Sequence, residues 1–271
     1  MIQTLVTGAT GKLGTALRPR LTAEGHAIRA ASRSPSDESG ESVNWVELDL
    51  TKDLDIKSVL ENIDVVIHTA TAPQGDTEAV DVQGTKRLLE AAEVTGVEHF
   101  VYPSIVGVDD IPFSYYEHKA VAETAVEESD IPTTIVRATQ FHSFVAEMLD
   151  LVAKFPVWPL PTTIQAQPIA VSEVADIIVD HATLTAHDRI DPIGGPEIHS
   201  VRELAQAYRD TRGLRRPILS VPIPGDTVAA FRDGYATCPD HKVGRLTWEE
   251  WLAQRYANGL DEASTQMKSP T

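Results

Sequence analysis

Short β-branched runs alternate with amphipathic stretches over the first 140 residues, and this rhythm predicts β-α-β units feeding a parallel sheet. Strand-like runs fall at residues 2–7, 27–32, 43–47, 64–69, 99–103 and 133–138. Helical periodicity fills the gaps at 12–24, 56–61, 77–95 and 115–129. Val65-Val66-Ile67 lacks polar alternation, as expected of a strand covered on both faces. The expected fold class is α/β with a doubly wound parallel sheet. Beyond Gln140 the pattern loosens. Residues 155–161 (Phe-Pro-Val-Trp-Pro-Leu-Pro) hold too many prolines for a regular element and read as a loop. Helical patterns return at 171–183, 200–212 and 247–257, the last two opened by the capping-box pairs Ser200 with Glu203 and Thr247 with Glu250. The expected division is a larger domain over 1–150 and a smaller, partly interleaved lobe over 151–271, with a polar tail at 260–271 that should fray.

Between the first strand and the first helix stands Thr7-Gly8-Ala9-Thr10-Gly11-Lys12-Leu13-Gly14. Glycines three apart in this position let the backbone turn sharply and approach a pyrophosphate, whose charge the free N–H groups at the helix start stabilise; Gly14 lets helix and strand pack closely. This is the dinucleotide-binding loop of a Rossmann-type fold, with Gly8, Thr10, Gly11, Lys12, Leu13 and Gly14 against the cofactor. It is not a Walker A loop, because Leu13 follows Gly11-Lys12 and Val6 stands where that loop's first glycine would be. The second strand ends Ala31-Ser32-Arg33-Ser34, without the acid that accepts from a ribose hydroxyl in NAD-preferring folds. Arg33 suits a 2′-phosphate and an adenine face instead, with Ser32 or Ser34 donating a hydrogen bond, so the expected cofactor is NADP(H). Asp49-Leu50 follows the third strand, where a carboxylate can accept from the adenine amino group or simply close a turn.

The net charge of −17 opposes nucleic acid and anionic membranes as partners and leaves a small-molecule substrate. No run approaches the roughly 18 apolar residues of a membrane helix, and no signal-peptide pattern precedes the first strand. Cys238 is the single cysteine, which excludes an intrachain disulfide and suits a reducing compartment. The expected location is the cytoplasm. No metal-ligand pattern is read.

The loop resembles that of the atypical short-chain dehydrogenase/reductase superfamily, and within it the NmrA-like NAD(P)-binding proteins. The resemblance extends to Asp81-Val82-Gln83-Gly84-Thr85, Tyr102-Pro103-Ser104, Tyr115-Tyr116-Glu117-His118-Lys119 and Arg137-Ala138-Thr139-Gln140-Phe141. It implies that Thr69, Ala70 and Thr71 run beneath the cofactor, that Lys119 holds the nicotinamide ribose, and that residues 137–141 sit where nicotinamide and substrate meet. His68, beside them, reads as a buried strand histidine.

Tyr115 and Lys119 stand four apart and so share a helix face. A capping box of Ser114 with Glu117 would place Tyr115 in the first turn, where the helix end and the Lys119 ammonium would favour a phenolate. Tyr115 could then exchange a proton with a carbonyl or alcohol oxygen, with Lys119 and Ser104 as the other catalytic residues. Three departures weigh against this: Ser104 is followed by Ile105 and Val106 rather than by further hydroxyls, the asparagine often found where Asp81 stands is absent, and Tyr116 competes for the role of Tyr115. Phe113, Tyr115, Phe141, Phe155 and Trp158 are candidates for an apolar pocket wall between the lobes, and equally for core. The leading function is an NADP(H)-dependent oxidoreductase moving hydride to or from a small carbonyl, quinone or similar acceptor. The alternative is an NmrA-like NADP(H) sensor that binds a protein partner without turnover. An epimerase or dehydratase, needing tightly held NAD, fits Arg33 less well.

Overall fold

The computed structural model describes residues 1–35, 43–52 and 55–256. In chain order the elements are β1 (Gln3–Thr7), α1 (Lys12–Ala23), β2 (Ala27–Ser32), β3 (Val43–Glu47), α2 (Ile56–Leu60) and β4 (Val65–His68). A wide, π-type helical turn (Glu78–Gly84) then runs directly into α3 (Thr85–Thr95), followed by β5 (His99–Ile105), α4 (Ser114–Glu127) and β6 (Thr133–Ala138). After these come α5 (His142–Val152), β7 (Trp158–Leu160), β8 (Gln165–Ala166), α6 (Val171–Asp180) and β9 (Asp188–Arg189). The chain continues through β10 (His199–Ser200), α7 (Val201–Thr211), β11 (Ile218–Ser220), α8 (Asp226–Arg232) and α9 (Trp248–Tyr256). The expected frayed tail at 260–271 lies outside the described residues.

Two compact units emerge, one of Met1–Ala138 with Val171–Ile193, the other of Thr139–Ala170 with the described residues from Gly194 onward. The first is built on a seven-stranded sheet in the order β3-β2-β1-β4-β5-β6-β9. Every pairing in it is parallel. From β1 the chain builds outward to β2 and β3, then returns to add β4 on the other side. The order therefore reverses between β1 and β4, and in such sheets the ligand crevice opens at the carboxyl ends of the strands flanking that reversal. Leu5, Val66, Phe100 and Ile135 of the strands pack with Leu60, Leu88, Ala122 and Val126 of the helices, all buried. Each large apolar side chain so buried contributes about 1.5–3 kcal/mol, which makes this sheet a firm platform for the loops at its edge.

The second unit packs Leu149, Trp158, Leu204, Tyr208, Trp248 and Leu252 into a core of its own. Both capping boxes expected here form: Ser200 Oγ accepts from Glu203 N while the Glu203 carboxylate takes Ser200 N–H, and Thr247 and Glu250 do likewise. The expected loop at 155–161 is instead partly β7, which pairs in parallel with β11, Trp158 opposite Ile218 and Pro159 opposite Leu219. Proline is tolerated because this is a two-stranded sheet, where every strand is an edge. Trp158 is completely buried in that core against Tyr208, so it is not a pocket wall. Helix α5 was not expected. Its sequence, HSFVAEMLDLV, is largely apolar, and His142, Ala146 and Leu149 are its buried residues.

Candidate functional site

The turn after β1 is made by Gly8, whose φ of +62° lies in the left-handed region, and is closed by a hydrogen bond from Gly11 N to Gly8 O at 2.8 Å. A Cβ on Gly8 would stand 2.8 Å from the backbone of Ala70, and one on Gly14 only 2.5 Å from Gly8 O. The loop is thus pressed onto the end of β4, with α1 pressed onto the loop. Gly11 caps α1 without a side-chain hydrogen bond, and the first-turn N–H groups have no acceptor within the helix. Thr10 Oγ1 lies 3.0 Å from Ser32 Oγ, which clasps the loop to the end of β2 and brings the exposed Arg33 beside it. Leu13 and Leu50 are buried. Asp49 spends one carboxylate oxygen on Thr51 N and Thr51 Oγ1, at 3.0 and 2.7 Å, and faces Lys52 with the other. These hydrogen bonds, those of Thr51 first, hold its carboxyl down at about 2.

At the end of β4, Thr69 Oγ1 donates to Thr7 O at 2.6 Å. His68 is wholly buried between Thr7 Oγ1 at 2.7 Å and Thr85 Oγ1 at 2.9 Å. Because the Thr85 hydroxyl donates to Asp81 O, it accepts from His68 Nε2–H, and Thr7 then donates to Nδ1. Burial, with a smaller push from Lys119, lowers the imidazole to about 3, so His68 is a neutral structural link, as its sequence context indicated.

Helix α4 begins at Ser114 behind Phe113, without the Ser114–Glu117 capping box expected from the sequence, since no side chain caps it. Tyr115 is still in the first turn and half-buried, while Tyr116 is buried. The Tyr115 hydroxyl meets Thr71 Oγ1 at 3.2 Å, and Thr71 donates to Asp81 Oδ1 at 2.5 Å. Lys119, also buried, turns to Tyr102: Nζ donates to Tyr102 Oη at 2.8 Å and to Pro103 O at 3.0 Å. The expected phenolate bias is therefore reversed. Burial, reinforced by the Asp81 carboxylate, pushes Tyr115 up to about 12, while burial brings Lys119 down to about 8. Ser104 Oγ is shut inside the protein with no hydrogen-bond partner.

A model of the NAD(P)H-binding family matches residues 8–183. The chain belongs to that family. The Photosystem II assembly factor Ycf39 of Trieres chinensis is 30% identical over 150 residues, 53% of this chain, and the match spans about half (47%) of that relative's own length. Its namesake in Guillardia theta is 24% identical over 278 residues, covering 96% of this chain and 86% of the relative. Among solved structures, the NADPH-dependent quinone oxidoreductase QOR2 of Escherichia coli, complexed with NADPH, superposes with a TM-score of 0.79 at 15% identity, over 93% of this chain and 99% of that one. MoeE5, in complex with UDP-glucose and NAD, gives 0.75 at 21% identity, over 96% and 99%. The likeness to these two structures lies in the fold.

The family's cofactor suits what the first unit presents. The glycine loop, the start of α1, Ser32 and Arg33, the end of β4 and the Tyr115 and Lys119 face of α4 all lie in that unit, at or next to the β1/β4 reversal. The Arg137 side chain does not join them. It is consumed by Glu123 at 2.6 Å and Asp109 at 2.5 Å, in an ion cluster that also takes Arg189. Gln140 ties to Ala236 O and Gln167 N within the second unit. Sequence reading did not single out Tyr102 as the partner of Lys119, or Asp81 as the anchor of Thr71. Asp81 did stand in a recognised motif, and an acid there beside a tyrosine-lysine helix was the available signal.

Proposed function

We propose that this protein is an NADPH-dependent oxidoreductase that reduces a small carbonyl, quinone or similar acceptor, with Tyr115 as the proton donor. The observation that carries the reading is Tyr115 itself: a phenol in the first turn of α4, held neutral, one helical turn from a buried lysine. A neutral phenol is the form that gives a proton to a developing alkoxide. The cofactor, when bound, supplies the hydride. Arg33 and Ser32 are assigned to its 2′-phosphate, the α1 start and glycine loop to its pyrophosphate, and Thr69, Ala70 and Thr71 to the strand end beneath it. Two N–H groups of Lys119 are committed to Tyr102 and Pro103, which leaves the third for a ribose hydroxyl. Asp49 and Leu50 are assigned to the adenine side. Ser104 enters this scheme only if its enclosed hydroxyl turns outward, so Tyr115 and Lys119 carry the chemistry.

The test is NADPH oxidation across a carbonyl and quinone panel by the wild type and Tyr115→Phe. The variant should lose turnover by 10²-fold or more, the low end for a lost general acid at about 10²–10⁴, with NADPH affinity retained. Unchanged turnover removes Tyr115 from the mechanism. One observation favours a second reading, a cofactor sensor acting through a protein partner: the shut-in Ser104 leaves the site without the hydroxyl that would orient a carbonyl. Relatives named as assembly factors accord with it. Tight NADPH binding with no turnover on any acceptor would select that reading.

A further inference from the structure

The wide turn at Glu78–Gly84 presents the Asp81 carboxylate, 1% exposed, to the segment that leaves β4. There Oδ2 accepts from Ala72 N at 3.0 Å and Oδ1 from the Thr71 hydroxyl at 2.5 Å. A hydroxyl has one proton to give. With that proton committed to Asp81, Thr71 Oγ1 is an acceptor toward Tyr115, and the 3.2 Å contact runs from the phenol to Thr71.

Resting on the oxidoreductase reading, we propose that Thr71 and Asp81 are positioning residues for Tyr115: Asp81 orients the Thr71 hydroxyl, and Thr71 holds the phenolic O–H until the oxygen of an acceptor substrate replaces it. The oxygen that replaces Thr71 must accept a hydrogen bond, as a carbonyl or quinone oxygen does. In the reaction Tyr115 gives its proton to that oxygen as hydride adds to the acceptor; the phenolate left behind regains a proton from water and returns to Thr71. The groups that face Tyr115 are Thr71 beyond β4, Asp81 in the wide turn and Tyr102 on β5. The Asp81 charge holds the proton on the phenol, and the hydrogen bond that the phenol gives to Thr71 holds it there too.

Two readouts test this, one of which needs no turnover. Tyrosinate absorbance is titrated in the wild type, Asp81→Asn and Thr71→Val, each referenced to the same background carrying Tyr115→Phe. Asp81→Asn and Thr71→Val should each ionise Tyr115 at lower pH than the wild type. With an accepted carbonyl or quinone, Thr71→Val should lower kcat by about tenfold, equivalent to ~1.4 kcal/mol. Thr71→Ser, which keeps the hydroxyl, should recover the rate. Superimposable Tyr115 titrations in the wild type and Asp81→Asn, or a Thr71→Ser enzyme as slow as Thr71→Val, would overturn the proposal. A wild type that turns over nothing defeats the oxidoreductase reading, while the titration still decides the positioning.

Discussion

At the residue scale, the features that spacing can announce were legible, and the partners that only the folded sheet supplies were not. Tyr115 and Lys119 share a face of α4 as their four-residue separation requires. That Lys119 would bond Tyr102 rather than act on Tyr115 depends on β5 lying beneath α4, a long-range fact. Hence the sign of the Tyr115 shift was misjudged: charge proximity was weighed, and burial won. Arg33 carries a prediction at this scale. Arg33→Ala should weaken NADPH binding by about 1.5–3 kcal/mol, the range for a hydrogen bond to a charged group, and NADH binding far less. Equal losses in parallel fluorescence titrations would remove the 2′-phosphate contact. His68 carries another. Its folded-state value is depressed to about 3 against an ordinary 6.5. As pH falls through that window the unfolded chain takes up a proton that the folded one refuses. Stability is therefore fully present above the upper value and declines toward the lower, at about 1.4 kcal/mol per pH unit where the gap is fully open. Urea unfolding at pH 7 and pH 5 should show a smaller difference in His68→Asn than in the wild type; equal differences would mean that another group sets the dependence.

At the element scale, strands β2, β3 and β6 have the limits their β-branched runs gave. The misreadings have local physical causes. The stretch 77–95 is helical throughout, as its apolar spacing predicts, but Glu78–Gly84 is wound as a wide, π-type turn before α3 begins. π-type turns inside helices are frequent at functional sites, and this one delivers Asp81. The strand expected over 99–103 continues to Ile105. Its pairing with β4 ends at Val101, so the missing N–H of Pro103 falls where no β4 partner waits. The caps of the second unit were legible because they are local. Ser200→Ala removes both hydrogen bonds of the α7 box made by the serine hydroxyl and should cost about 1 kcal/mol, measurable as a shift in the unfolding midpoint. No shift would mean that the box is redundant with the α7 packing of Leu204 and Tyr208.

At the scale of the whole molecule, the alternation of strands and helices indicated a parallel α/β sheet, and the seven-stranded order places its reversal between β1 and β4, beside the glycine loop. The course of the second unit was less legible. Its strands are two or three residues long and its core is assembled from distant segments, Trp158 with Tyr208 and Trp248. Among the described residues no helix is long and apolar enough to cross a membrane. What the family and the fold leave open is whether the bound cofactor is used. The most direct measurement supplies NADPH carrying deuterium at the transferable C4 position and follows the label by mass spectrometry with a carbonyl and a quinone panel. The account predicts, for an accepted carbonyl, deuterium on the former carbonyl carbon in the wild type, and transfer reduced 10²-fold or more in Tyr115→Phe, the low end of about 10²–10⁴ for a lost general acid. For a quinone it predicts the same loss in the rate at which label leaves the cofactor. NADPH that binds tightly but keeps its label against every acceptor would contradict it.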